Sequence, residues 1–120
     1  MHETNKRIVG AKAEQLIRDY LSANDYEILE MNYRCKQGEV DIIAKHGKYY
    51  VFIEVKYRSS TKYGLPEEAV GIAKQRRISK AALYYLYSHN LPDTTPVRFD
   101  VAAILVDTVH YIKDAFSYVC

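Results

Sequence analysis

The order of hydrophobic periods along these 120 residues predicts an α/β fold built as helix, three strands, long helix and strand, with one further edge strand. Three observations carry that expectation. Apolar residues recur at three- and four-residue steps between Thr4 and Ala23, and again between Glu67 and His89. Val40 to Lys45 and Tyr49 to Lys56 are rich in β-branched and aromatic residues and flank a turn at His46-Gly47-Lys48. Arg98 to Val106 is strongly apolar, as a strand buried on both faces must be.

Each element has a local reason. Val9, Ala13, Leu16, Ile17, Tyr20 and Leu21 fall on one face of the first helix, which should end at Asn24-Asp25, two residues that tolerate turn geometry. Tyr26 to Arg34 reads as a strand and Cys35 to Gly38 as a turn. If the next loop is Gly47-Lys48, with Gly47 taking the positive φ of a type II′ turn, His46 pairs with Tyr49 in a hairpin. Ser59 to Pro66 is a polar loop. The second helix, Glu67 to His89, opens with acids, continues through Ile72, Ile78, Ala82, Tyr85 and Leu86, and has a weak point at Gly71. Asn90 to Pro96 is a loop, and Val109 to Ile112 a short edge strand. Without repeats or a low-complexity linker, one domain over residues 1–120 is expected.

An apolar fraction of 48% and a charged fraction of 27% are those of a soluble globular protein. No segment approaches the roughly 18 uninterrupted apolar residues of a membrane helix, and the residues from Met1 to Arg7 lead into a helical pattern rather than a signal sequence. A cytoplasmic protein without a membrane partner is expected. Cys35 and Cys120 form neither a disulfide framework nor a zinc pattern and read as reduced bystanders; His2, His46, His89 and His110 share no ligand spacing. A formal charge of +2 does not argue for nucleic acid by itself. Arg34, Lys36, Lys56, Arg58, Lys62, Lys74, Arg76, Arg77 and Lys80 nevertheless cluster in the segments flanking the hairpin.

The hairpin register brings chemistry with it. It sets Asp41 opposite Glu54, and it matches Val40, Ile42 and Ala44 with Val55, Ile53 and Val51 on one wholly apolar face. The other face carries Asp41, Ile43, Phe52, Glu54 and Lys56. Directly opposed like charges, about 5 Å apart at Cβ, are destabilising unless something positive lies between them. A divalent cation fits that place, and Lys56 adds a fixed charge on the same face. Two acids and a lysine so arranged suit a metal-dependent phosphodiesterase.

These residues closely resemble the YraN family of bacterial proteins, placed in the restriction-endonuclease-like superfamily with the signature PD-(D/E)xK. The likeness takes in Glu14 with Tyr20-Leu21, Tyr26-Glu27-Ile28-Leu29, Asn32-Tyr33-Arg34 and Gly38-Glu39-Val40-Asp41-Ile42-Ile43-Ala44. It continues through Phe52-Ile53-Glu54-Val55-Lys56-Tyr57-Arg58, Glu68-Ala69-Val70, Lys74-Gln75 and Arg98-Phe99-Asp100-Val101. Ala13, Ile17 and Asn24-Asp25 depart from the family pattern without removing a candidate ligand.

The resemblance implies a restriction-endonuclease-like core, a central mixed β-sheet flanked by helices, and a site to match. In such a nuclease Asp41, Glu54 and the main-chain carbonyl of Val55 hold Mg²⁺ or Mn²⁺, hard cations that prefer oxygen. The metal polarises the scissile phosphate and acidifies an attacking water, which Lys56 orients while offsetting charge on the phosphorane. Glu14 is a further carboxylate from the first helix. Lys74 and Gln75 contact a phosphate or the water, and Arg34, Arg58 and Arg77 are phosphate clamps.

Ordinary readings compete. Glu39 falls opposite Lys56 in the same register, as a cross-strand ion pair would. Taken alone, Glu14 reads more often as a solvated charge, the basic residues from Lys74 to Lys80 as a solvated helix face, and most tyrosines as packing residues. The leading expectation is a nuclease acting on DNA rather than RNA, on branched or structured DNA by analogy with archaeal Holliday-junction resolvases of similar size and element order. Paired cuts would call for a homodimer, although no self-complementary surface is legible. The alternatives are a nucleic-acid-binding module that does not cleave efficiently, and a structural or partner-binding domain in which Asp41, Glu54, Lys56 and Glu39 form an internal charge network.

Overall fold

The computed structural model describes residues 2–58, 70–105 and 107–119, with side chains from Lys12 onward except that of Arg58. The elements run α1 (His2–Ala23), β1 (Glu27–Cys35), β2 (Gly38–His46), β3 (Tyr49–Arg58), α2 (Ile72–Ser88), β4 (Val97–Leu105) and β5 (Thr108–Phe116). This is the expected order. The polar loop Ser59 to Pro66, the start of the second helix at Glu67, the side chains of Val9 and Arg58, and Cys120 lie outside the described residues. Gly71 caps α2 at its N-terminus in an extended conformation. β5 runs well past the short strand expected at Val109 to Ile112.

The five strands form one mixed sheet in the order β1-β2-β3-β4-β5, antiparallel except for the parallel pair β3/β4. A parallel pair needs a crossover, and α2 lies in it. The architecture is compatible with a restriction-endonuclease-like core. Ala13, Ile17 and Leu21 of α1 pack on Ile42, Ala44, Val51, Ile53, Ala102 and Ile104. On the opposite face, Ile78, Ala81, Ala82, Tyr85 and Leu86 of α2 pack on Val40, Ile43, Phe52 and Phe99. Enclosing a side chain such as Ile42, Ile53 or Phe52 contributes about 1.5–3 kcal/mol. Gly38 lets α2 descend onto the start of β2, because a Cβ there would lie 2.5 Å from the main-chain oxygen of Arg77.

The hairpin has the expected register, from His46↔Tyr49 to Ile42↔Ile53, and the positive φ falls on Gly47, at 59°, and not on Lys48. The expected face is corrected at its far end. The ladder stops one step short of Asp41 and Glu54, and Val40 packs with Ile43 and Phe52 on the α2 side rather than with Ile42 and Ala44. The break coincides with Asn32 in β1, which adopts a left-handed φ of 56° between the pairs Met31↔Ile42 and Tyr33↔Val40. β1 changes face there, with Met31 on the α1 side and Tyr33 on the α2 side, and their partners Ile42 and Val40 in β2 change face with them across Asp41.

A second irregularity is organised around Asp100, which is 0% exposed. Its carboxylate accepts from Arg98 Nε and Nη2 at 2.9 Å each, from Tyr111 Oη at 2.6 Å and from the main-chain N–H of Asp114 at 2.9 Å. Asp114 has a φ of 53°, and the β4/β5 register shifts between Phe99 and Val101. Arg98 continues the network by donating to Tyr26 Oη at 2.6 Å and lying 3.1 Å from His46 Nδ1, while the His46 ring stacks on Tyr26 at 3.9 Å. His46, to which the sequence reading gave no role, thus belongs to the framework. Burial, followed by the charge of Arg98, lowers its pKa and keeps the imidazole neutral.

Candidate functional site

The end of the β2/β3 ladder is where the acids meet. Glu54, on β3, faces α2 and is 4% exposed, with Lys74 Nζ at 3.5 Å and Lys56 Nζ at 3.8 Å from its Oε2. Asp41 arrives from β2 at the break, and its Oδ2 accepts the main-chain N–H of Val55 at 2.8 Å. A side-chain oxygen therefore takes over where the ladder has ended, and this fixes the orientation of the carboxyl. The same carboxyl lies close enough to Glu54 to raise its pKa. The two acids come together as their spacing suggested, by a distortion that an ideal hairpin lacks.

Burial above all, then the hydrogen bond and negative charge of Asp41, push the Glu54 carboxyl from 4.5 up to about 8, against the pull of Lys74 and Lys56. At neutral pH Glu54 therefore holds its proton. The consequence for stability runs opposite to that of an ordinary carboxylate. Below pH 4.5 both folded and unfolded chains hold the proton; between 4.5 and about 8 only the folded chain does, so stability falls as pH rises through that window. The expected contribution is on the order of 1 kcal/mol per pH unit for the metal-free protein. Urea denaturation of wild type and Glu54→Gln from pH 5 to 9 isolates it: the variant should lack the decline, and parallel curves would refute the assignment.

The other candidates take definite places. Glu14 pairs with Arg18 at 3.2 Å and lines, with Asp41 and Val55, a cleft of about 290 Å³ between α1 and the sheet. Glu39 does not face Lys56. β2 has left β3 by that point, so Glu39 sits opposite Arg34 of β1, with Arg34 Nε at 3.6 Å and Lys74 Nζ at 3.7 Å. Lys74 consequently bridges Glu39 and Glu54. Gln75 donates to the carbonyl of Val70 at 2.9 Å and secures the entry to α2. Arg34, Arg77 and Lys74 line a second cleft, of about 240 Å³, on the α2 side. Asp41 thus stands at the fork where β2 leaves β3, on the wall of the α1-side cleft.

Among the described residues no group of three or more His, Cys, Asp or Glu side chains could hold a metal ion. Of the oxygen set expected for a metal, Asp41, Glu54 and the main-chain carbonyl of Val55, the structure brings the two carboxyls together at the fork. Mg²⁺ is commonly held by one or two carboxylates with water and substrate phosphate completing its shell, so this set fits such an ion chemically. The proton held by Glu54 would have to leave before a cation could bind there. Among the described residues no helix is long and apolar enough to cross a membrane.

A family model described as uncharacterised protein family UPF0102 matches residues 13–104. A UPF0102 protein of Lachnoclostridium phytofermentans is 49% identical over 113 residues, covering 94% of this chain and 96% of its own. One from Syntrophus aciditrophicus is 50% identical over 112 residues, covering 90% and 87%. One from Caldicellulosiruptor bescii is 46% identical over 118 residues, covering 93% and 99%. The matched span contains Glu14, Glu39, Asp41, Glu54, Lys56 and Lys74.

Proposed function

The chain belongs to the UPF0102 family, which is the YraN family, and from that membership and its acid pair, Asp41 and the buried Glu54, we propose a metal-dependent nuclease that hydrolyses phosphodiester bonds in DNA. The observation that carries the reading is the meeting of Asp41 and Glu54 at the fork, with two lysines beside them. Asp41, Glu54 and the Val55 carbonyl would hold Mg²⁺ or Mn²⁺. When bound, the ion supplies a Lewis acid for the phosphate and acidifies a water.

The chain's own groups do the rest. Val55 holds Asp41 in orientation through its N–H. Lys56, a quarter exposed, reaches from Glu54 toward solvent, where it orients water and offsets charge developing on phosphate. Lys74 holds Glu54 and Glu39 from α2, and Arg34 and Arg77 in the adjoining cleft receive flanking phosphates. Branched or structured DNA is the proposed substrate class, by analogy with resolvases of similar element order.

Mg²⁺ or Mn²⁺ should raise the thermal midpoint of wild type, rising with the logarithm of free metal above the Kd, and Asp41→Ala should abolish that response. Single-stranded, duplex, flap and four-way-junction DNA presented with metal should then divide cleavage from binding. The Lys74 bridge favours a second reading, a structural charge network at the fork. That reading predicts no metal response and no products.

A further inference from the structure

Large apolar side chains on an exposed helix face call for a partner, and α2 concentrates them. Among the described residues, Tyr87 is 79% exposed and Tyr84 39%, with Leu83 and Ile72 also open to solvent on the same helix. Between Ile72 and Ser88 there are four cations, Lys74, Arg76, Arg77 and Lys80, and no acid. Lys80 precedes Leu83 and Tyr84 by three and four residues, so charge and ring lie one turn apart on one surface. Arg77 joins the α2-side cleft, and Lys74, at the head of the helix, touches Glu54. At 1.5 Å per residue, Tyr84 and Tyr87 stand about 15 and 20 Å along the axis from Lys74.

We propose that the outward surface of α2 is a stacking track for the unpaired bases of a nucleic-acid strand, with Tyr84 and Tyr87 as base platforms and Lys80 and Arg77 as phosphate contacts. A second copy of the chain is a poor occupant, since two such helices would oppose like charges with no acid to compensate. A single strand satisfies both features, because every base offers a ring face to tyrosine while its phosphates meet the cations. The track depends on the nuclease reading only for its destination, the acid pair beside Lys74. It makes unpaired or branched DNA a substrate class for a physical reason rather than by analogy.

The test is fluorescence anisotropy without metal, using labelled oligothymidylate and a blunt duplex of equal length. Wild type, Tyr87→Ala, Tyr84→Ala with Tyr87→Ala, and the corresponding double Phe variant are compared. The double Ala variant should bind oligothymidylate about ten-fold or more weakly, with Tyr87→Ala intermediate and the Phe variant close to wild type. Duplex affinity should change little. Equal losses on both DNAs, no loss on the single strand, or no binding of wild type to oligothymidylate would each overturn the proposal. So would light scattering that shows a wild-type dimer converted to monomer by Tyr87→Ala, a substitution exposed enough to spare the fold. A protein that stacks single strands but never responds to metal would refute the nuclease reading and leave the track standing; metal-dependent cleavage with unchanged single-strand binding in the Ala variants would do the reverse.

Discussion

Asp100→Ala is expected to cost about 3–5 kcal/mol of stability, the range for removing one partner of a buried ion pair. The residue is wholly enclosed and receives both Arg98 contacts, the Tyr111 hydroxyl and the Asp114 N–H. Its loss leaves an arginine with little water around it, a hydroxyl without its charged acceptor, and a main-chain donor fixed at a left-handed residue. Four strands are affected together, since Asp100 joins β4 to β5 directly and Tyr26 at the head of β1 and His46 at the end of β2 are held through Arg98. Urea denaturation at pH 7 measures the loss. Asp100→Asn, which keeps acceptor oxygen but no charge, should fall between wild type and Ala. Pairing Asp100→Leu with Arg98→Met should recover part of the loss, because the isolated charge rather than the absent attraction dominates. A cost below about 1 kcal/mol in Asp100→Ala would show that water or rearrangement satisfies Arg98.

That network was only partly legible in the chain. An aspartate with an arginine two residues before it, inside an otherwise apolar strand, is itself a signal of a buried pair, and the apolar count over Arg98 to Val106 hid it. Tyr26, His46 and Tyr111 come from distant segments and share no spacing that marks them as partners. The hairpin was readable because Gly47 and the β-branched runs fix turn and register locally. Its failure at Asp41 was not, since the change of face is shared with the neighbouring strand, where Asn32 is left-handed. The same limit displaced Glu39 from Lys56 to Arg34 and Lys74. Lys74 itself was named among the nucleic-acid contacts, but its hold on Glu54 requires α2 to dock over Gly38, a packing event with no local code.

On the nuclease reading, Lys56→Ala should lower cleavage by about 10²–10⁴-fold while leaving fold and metal response intact. Lys56 Nζ is 3.8 Å from Glu54 and a quarter exposed, so its removal deletes a mobile positive charge at the rim of the acid pair and little packing. The loss should appear in kcat, because the ammonium acts on charge that develops during reaction. Lys56→Arg should not restore the rate: a planar fork cannot replace a compact ammonium at one oxygen. Lys74→Ala is the informative contrast. Lys74 bridges Glu39 and Glu54 and lines the cleft shared with Arg34 and Arg77, so its loss should weaken DNA binding as well as loosen Glu54. The two lysines are separated by kcat against KM under Mg²⁺, with thermal midpoints recorded beside each assay. Cleavage that persists undiminished in Lys56→Ala would belong to a contaminant. A metal response that disappears with Lys56 would place the lysine in the fold rather than in the reaction.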